Sequence, residues 1–248
     1  MEQSARRAGL EKSEQVEVSL RAPAWLMPGA EWRRYVEENT QAVLQVGGQD
    51  RARVRLLRCP DGSVALLKDF SRANWLYRQT IGRLSIHNES AAHAAADSLR
   101  GVPRLLARPN ADSLLVEAVA GRSLNTIARE THRLPFEIIE QARQLLTGLH
   151  ALGIAHADLG HDADGWFGRD ANVLWGEDGQ LYLVDLASAV FRSRCPAPVF
   201  EAFCWHDRLL ITKILRRFFP DRQDEPEFHM HQQMPASQRR WLKLLKKI

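Results

Sequence analysis

The sequence predicts an α+β fold in two lobes, a small β-rich one followed by a reduced, mostly helical one. Three observations predict it. Between residues 40 and 119, short apolar runs alternate with turn signals and are interrupted by a single helical pattern. From Pro135 to Leu152 the apolar residues instead recur at helical spacing. Between these regimes the composition shifts at Ala118–Ser123, which reads as a connector. The chain therefore divides into an N-terminal arm with a short helix (1–39), a β-rich lobe (40–119) and a helical lobe (120–248).

Residues 1–30 are polar and then contain Ala and Pro (Arg21-Ala22-Pro23-Ala24), which suits a loose arm. Trp32, Tyr35 and Val36 lie at helical spacing and predict a short helix over Glu31–Asn39. Gln41–Val46 reads as a strand running into Gly47-Gly48. Arg51–Arg58 and Ser63–Phe70 are strands joined by Cys59-Pro60-Asp61-Gly62, where Pro presets φ and Gly supplies a positive φ. Ala-rich His87–Leu99 is a helix that stops before Gly101-Val102-Pro103. Leu105–Ala107 and Leu114–Val119 form a strand pair around Pro109-Asn110-Ala111-Asp112. In Pro135–Leu152, residues Ile138, Ala142, Leu145, Leu146 and Leu149 fall on one stripe, and Gly153 marks its end. Two short strands, Asn172–Trp175 and Leu181–Val184, flank the turn Gly176–Gly179. From Phe200 onward the pattern is helical and basic.

With 248 residues, 45% of them hydrophobic, the chain can bury a sizeable core. No apolar run approaches the ~20 residues of a spanning helix, and the first thirty residues carry no secretory apolar segment. Three scattered cysteines, Cys59, Cys195 and Cys204, form no CxxC pair, so neither a disulfide framework nor a cysteine zinc site is expected. A reducing, cytoplasmic location fits best. Thirty-four basic against thirty acidic residues leave a net charge of +4, too small to argue for nucleic acid as a partner.

The basic residues are unevenly chosen: 28 are Arg and 6 are Lys, and Lys68 is the only lysine between Lys12 and Lys213. It ends the apolar run Val64-Ala65-Leu66-Leu67. A compact ammonium differs from a planar guanidinium in the sites it can serve. Lys68 is therefore either a retained site residue or a surface cation. The densest chemistry lies further on, in His156-Ala157-Asp158-Leu159, Asn172-Val173-Leu174 and Val184-Asp185-Leu186-Ala187.

This set resembles the catalytic centre of the protein-kinase-like superfamily, especially its compact lipopolysaccharide-kinase and RIO-like branch. The resemblance covers roughly residues 40–215. It implies an ATP- and Mg²⁺-dependent kinase in which Asp158 is the catalytic acid–base group and Asn172 and Asp185 hold the metal. His156 belongs to the same catalytic loop. Lys68 would neutralise the α- and β-phosphates, with Glu89 of the following helix as its ion-pair partner. Leu115-Val116-Glu117-Ala118-Val119 resembles the hinge, where Glu117 and Val119 would offer backbone groups to adenine and Val116 would line the pocket. Gly47 and Gly48 stand where a glycine-rich loop would cover the phosphates.

The sequence also departs from the pattern. Asn172 follows Asp158 by 14 residues rather than five, because residues 160–168 are inserted in the catalytic loop. No third glycine accompanies Gly47-Gly48, and Asp185-Leu186-Ala187 replaces Asp-Phe-Gly. The segment after Asp185 is short, which leaves little room for a peptide-docking platform.

Two other classes compete. A nucleotide-binding pseudokinase would explain the degenerate glycine loop and the insertion. A metal phosphohydrolase would use the pairs His161-Asp162 and His206-Asp207, but its class is almost wholly helical. Finally, Trp241, Leu244, Leu245 and Ile248 share one helical face in Ser237–Ile248, flanked by Arg239, Arg240, Lys243, Lys246 and Lys247. Residues 237–248 are either a final helix docked on the second lobe or a basic amphipathic helix on an anionic membrane surface. Under the kinase resemblance the acceptor would be a hydroxyl, on a lipopolysaccharide core sugar, another small molecule or a protein Ser/Thr.

Overall fold

The computed structural model describes residues 29–130, 133–159 and 172–233. The arm before Gly29, the insertion at 160–168 and the basic stretch 237–248 lie outside the described residues.

The first lobe is a five-stranded antiparallel sheet of β1 (Thr40–Gln45), β2 (Arg53–Arg58), β3 (Val64–Asp69), β4 (Leu105–Asn110) and β5 (Ser113–Glu117), ordered β1-β2-β3-β5-β4. Alternation along each strand sends its side chains to opposite faces. Ala65 and Leu67 of β3, with Leu57 and Leu115, meet Trp32 and Val36 of α1 (Gly29–Asn39) on the outer face. Leu66, Leu114 and Val116 pack on the inner face against Ile86. Lys68, one step beyond Leu66 in the same alternation, belongs to that inner face. The Cys59–Gly62 turn closes with Gly62 N–H donating to Cys59 O, at a φ of 84° for Gly62.

Helical structure between β3 and β4 begins earlier than the sequence predicts. It runs through α2 (Trp75–Tyr77), a π-helical turn (Arg78–Gly82) and α3 (Arg83–Ala95), rather than starting at His87. Asn74 caps it by accepting from Leu76 N–H at 2.9 Å. The reason for the discrepancy is visible in the burial. Trp75, Leu76, Ile81 and Leu84 are exposed, so the apolar residues of this stretch do not form one buried stripe.

In the second lobe, β6 (Gly121–Ser123) leads into α4 (Leu124–Glu130) and α5 (Glu137–Ala151). The predicted stripe of α5 is buried as a unit: Ile138, Ala142, Leu145, Leu146 and Leu149. It packs against Leu210, Ile211, Ile214 and Leu215 of α6 (Ala197–Phe218), with Val173, Leu181 and Leu183 in the same cluster. Each such side chain, fully buried, stabilises the fold by about 1.5–3 kcal/mol before entropy is counted. The short strands β7 (Ile154–Ala155), β8 (Val173–Gly176), β9 (Leu181–Leu183) and β10 (Val190–Phe191) complete the lobe. β6, β8 and β9 form one small sheet, and β7 pairs with β10. The β6–β8 and β7–β10 pairings were not visible as sequence patterns, because strands of two or three residues carry no periodicity. No described helix is long and apolar enough to cross a membrane.

Candidate active site

The lobes meet at Lys68. Its Nζ lies 2.7 Å from Asp185 Oδ1 and 2.9 Å from Glu89 Oε2. Their exposures differ usefully: the side chains of Lys68 and Glu89 are 11% and 4% exposed, that of Asp185 47%. The Glu89 contact is a buried ion pair, and Asp185 accepts a hydrogen bond from the same ammonium. Burial alone would lower the Lys68 pKa, but attraction to Glu89 and Asp185 outweighs it and holds the ammonium above its ordinary value. Burial pushes the Glu89 carboxyl up to about 7 against the pull of Lys68. For Asp185, burial acts upward, and Lys68 more than reverses it, so its pKa falls below the ordinary carboxylate value.

Backbone geometry delivers Asp185 to that point. It follows β9 in the left-handed region, with φ 59° and ψ 71°, a conformation that Asp tolerates better than most residues. Asn88, next to Glu89 in α3, donates from Nδ2 to Ala187 O at 2.9 Å and to Ala189 O at 2.8 Å. α3 is thereby tied to the segment after Asp185, and the distance from Glu89 to Asp185 is set by that tie. Gly101 presses on β9 from behind. Its φ is 95°, its carbonyl accepts from Leu183 N–H, and a Cβ there would fall 2.6 Å from Leu181 O.

The loop carrying Asp158 is held from below by Asp207 of α6. This fully buried carboxylate accepts from His156 N–H at 2.7 Å, Ala157 N–H at 2.9 Å and His150 Nε2 at 3.0 Å. Three donors compensate its desolvation. They also hold Ala157 at a positive φ of 65°, a strained value for a residue with a Cβ. His156 itself is fully buried, with Nε2 donating to Val184 O at 3.0 Å. It bridges the Asp158 loop to the strand before Asp185, so its place is in positioning rather than in contact with an acceptor.

Asn172 comes back to Asp158 despite a separation of 14 positions in the chain. Its Nδ2 donates to Asp158 O at 2.8 Å and to Asp158 Oδ2 at 3.2 Å, and its own carbonyl accepts from Val184 N–H. With Nδ2 turned to Asp158, the side-chain oxygen of Asn172 remains as a donor to a cation. That oxygen and the half-exposed Asp185 carboxylate are hard ligands of the kind Mg²⁺ takes in small number, so these residues fit the ion.

At the connector, Val116 is buried on the inner face, and Glu117 and Val119 are half-buried. Glu117 N–H donates to Arg104 O at 2.9 Å, which leaves its carbonyl, not its amide, for a ligand. Gly47, at φ 81°, sits where a Cβ would lie 3.0 Å from Arg53. Gly48 N–H donates to Arg51 O. Both glycines thus close a tight β1–β2 turn.

Asn88 went unread in the sequence, and Asp207 was offered there only as half of the His206-Asp207 pair. Asp207 left a usable signal, an acid on the apolar stripe Phe200, Cys204, Leu210, Ile211 and Ile214. Its place also corrects the metal-phosphohydrolase reading of His206-Asp207, since the carboxylate is engaged by backbone amides and His150. His161-Asp162 lies outside the described residues.

No protein-family model matches the chain, and no curated protein matches it. By structure it is similar to the Rio2 kinase from Chaetomium thermophilum, with a TM-score of 0.54 and 15% identity over 75% of this chain and 60% of that one. It is equally similar to the Rio2 kinase–ADP/Mg²⁺–phosphoaspartate complex from the same organism, at a TM-score of 0.54 and 15% identity, covering 76% and 59%. The chain spans about three-fifths of the length of these structures. Its fold is the protein-kinase-like fold. These similarities speak to the RIO-like side of the resemblance and not to the lipopolysaccharide-kinase side.

Proposed function

We propose that this chain is an ATP- and Mg²⁺-dependent phosphotransferase that moves the γ-phosphoryl group to an acceptor hydroxyl. One observation carries the reading: the one lysine of the first lobe, its side chain 11% exposed, meets Asp185 of the second at 2.7 Å, backed by Glu89. Phosphoryl transfer asks mainly for positioning and charge neutralisation, and this cluster supplies both. Lys68 presents a cation to the phosphates. Asp158, its loop fixed by Asp207 and its carboxylate oriented by Asn172, would align the acceptor hydroxyl and accept its proton. Mg²⁺, when bound by Asp185 and Asn172, would neutralise phosphate charge. Lys68 holds Asp185 Oδ1 directly, so cation and lysine compete for that oxygen.

Concerning the acceptor, only residues 186–196 separate Asp185 from the start of α6 at Ala197. So short a connection supports a sugar or other small molecule over an extended peptide. The test is transfer of labelled γ-phosphate by the full chain, or release of labelled phosphate to water where the acceptor is unknown. Asp158→Asn should abolish transfer and keep the thermal shift caused by Mg·ATP. No shift at millimolar Mg·ATP would overturn the reading, and binding without transfer would favour a nucleotide-binding regulatory module. One of the similar structures contains phosphoaspartate. Label retained on the chain itself, and lost in Asp185→Asn, would therefore count against transfer to a free hydroxyl.

A further inference from the structure

A cavity lies on the other side of the first-lobe sheet from Lys68. It has a volume of about 560 Å³ and opens between α1 and the outer face of the strands. The size falls within the ~300–1,000 Å³ of small-molecule pockets. Five arginines line it (Arg33, Arg53, Arg55, Arg72 and Arg78), against three carboxylates.

The carboxylates do not neutralise this set. Asp69 accepts from Ser71 N–H and Oγ and from Arg55 Nη2. Asp112 accepts from Arg83 Nε at 2.8 Å, with Arg78 farther off at 3.8 Å. Glu37 is exposed on α1. Among the described residues Arg33, Arg53 and Arg72 therefore have no ion-pair partner. Arg55 is the most informative member. Its side chain is only 8% exposed, its Nε has no hydrogen-bond partner, and its pKa is lowered first by burial and then by the neighbouring Arg53 guanidinium. Arg53 Nε is likewise buried without a partner, and so is Ser113 Oγ, on a residue only 1% exposed.

Register explains the convergence. Arg53, Asp69, Ser113 and Asn110 form one lateral row across β2, β3, β5 and β4, beyond the apolar layer of Leu57, Leu67 and Leu115. Buried donors without acceptors are costly, and several guanidinium groups pointing into one space ask for an anion with many oxygens. A planar carboxylate accepts from few directions. Here donors come from α1, β2, β5 and the segment after β3, which suits a tetrahedral phosphate. The space exceeds one phosphate, and Trp32, Val36 and Pro109 offer an apolar wall.

We infer that this cavity is a binding site for a phosphorylated ligand, with the phosphate on Arg53, Arg55, Arg72 and Ser113 and the organic part against Trp32 and Val36. The inference stands apart from the catalytic reading, since no residue of the Lys68 cluster lines the cavity.

The probe is pyrophosphate, titrated calorimetrically into the full chain without metal. Arg53→Gln and the exposed-site variant Arg72→Gln should each weaken binding about tenfold or more, the loss expected for one charge-assisted contact. Arg72 lies outside the packed core, so that variant tests the site without endangering the fold. Vesicles containing phosphatidic acid form the second arm. Retention on them that depends on Arg53 assigns the phosphate to a lipid headgroup, and pyrophosphate binding without such retention assigns it to a free molecule. Absence of Arg53- and Arg72-dependent binding in both arms overturns the inference.

Discussion

Replacing Lys68 by Met keeps the length of the side chain and removes its charge, which leaves Glu89 and Asp185 facing each other without a cation. Breaking one side of a buried ion pair typically costs about 3–5 kcal/mol. Asp185, about half exposed, can turn to water; Glu89, at 4% exposure, cannot. Even with Lys68 present the Glu89 pKa stands at about 7 rather than its ordinary 4.5, a difference of about 3 kcal/mol against the ionised form. Without Lys68 that pKa rises further, and protonation becomes the escape. The folded state then binds more protons than the unfolded state from the unfolded pKa upward, so stability falls as pH rises through that window. We therefore expect Lys68→Met to lose about 3–5 kcal/mol at about pH 8 and clearly less at about pH 5. Urea unfolding followed by tryptophan fluorescence at a series of pH values measures this. The double variant Lys68→Met/Glu89→Gln should recover most of the loss and flatten its pH dependence. A loss independent of pH, or a double variant as unstable as the single one, would refute the account of Glu89 as the strained partner.

Lys68→Arg should fail in phosphoryl transfer almost as badly as Lys68→Ala, by about 10²–10³ in single-turnover rate, because a wider fork replaces a point charge between two carboxylates; turnover like the wild type would show that any cation suffices. Asp207→Asn puts an NH₂ donor among the donors His156 N–H, Ala157 N–H and His150, and should cost about 2–4 kcal/mol in chemical denaturation. It should also lower kcat with the KM for ATP little changed, a split that global destabilisation alone would not produce. His93 is fully buried, with Nδ1 on Pro103 O, and burial lowers its pKa to about 4. Its stabilising contribution, about 3 kcal/mol, is present above the unfolded pKa near 6.5 and is lost as pH falls toward 4. His93→Gln should remove that part of the acid dependence, and an unchanged profile of unfolding against pH would refute it.

The elements that read correctly from the sequence are those whose signal is local. The Cys59–Gly62 turn, the β2 and β3 runs and the stripe of α5 each follow from residues within a few positions of one another, since φ preference and side-chain periodicity act at that range. The order Lys68, Glu89, Asp158, Asn172, Asp185 was legible as a resemblance, without distances. Tertiary structure alone decided that Lys68 reaches Asp185 across 117 residues and that Asn172 returns to Asp158 past an insertion. It alone turned Asp207 from half of a candidate metal pair into the support of the Asp158 loop. The outer cavity belongs to the same class, because Arg53, Arg72 and Ser113 are ordinary polar residues until strand register and α1 place them around one space. A sequence reports which face a side chain takes on its own element. What that face meets depends on packing between elements far apart in the chain, and in this protein the candidate chemistry lies at those meetings.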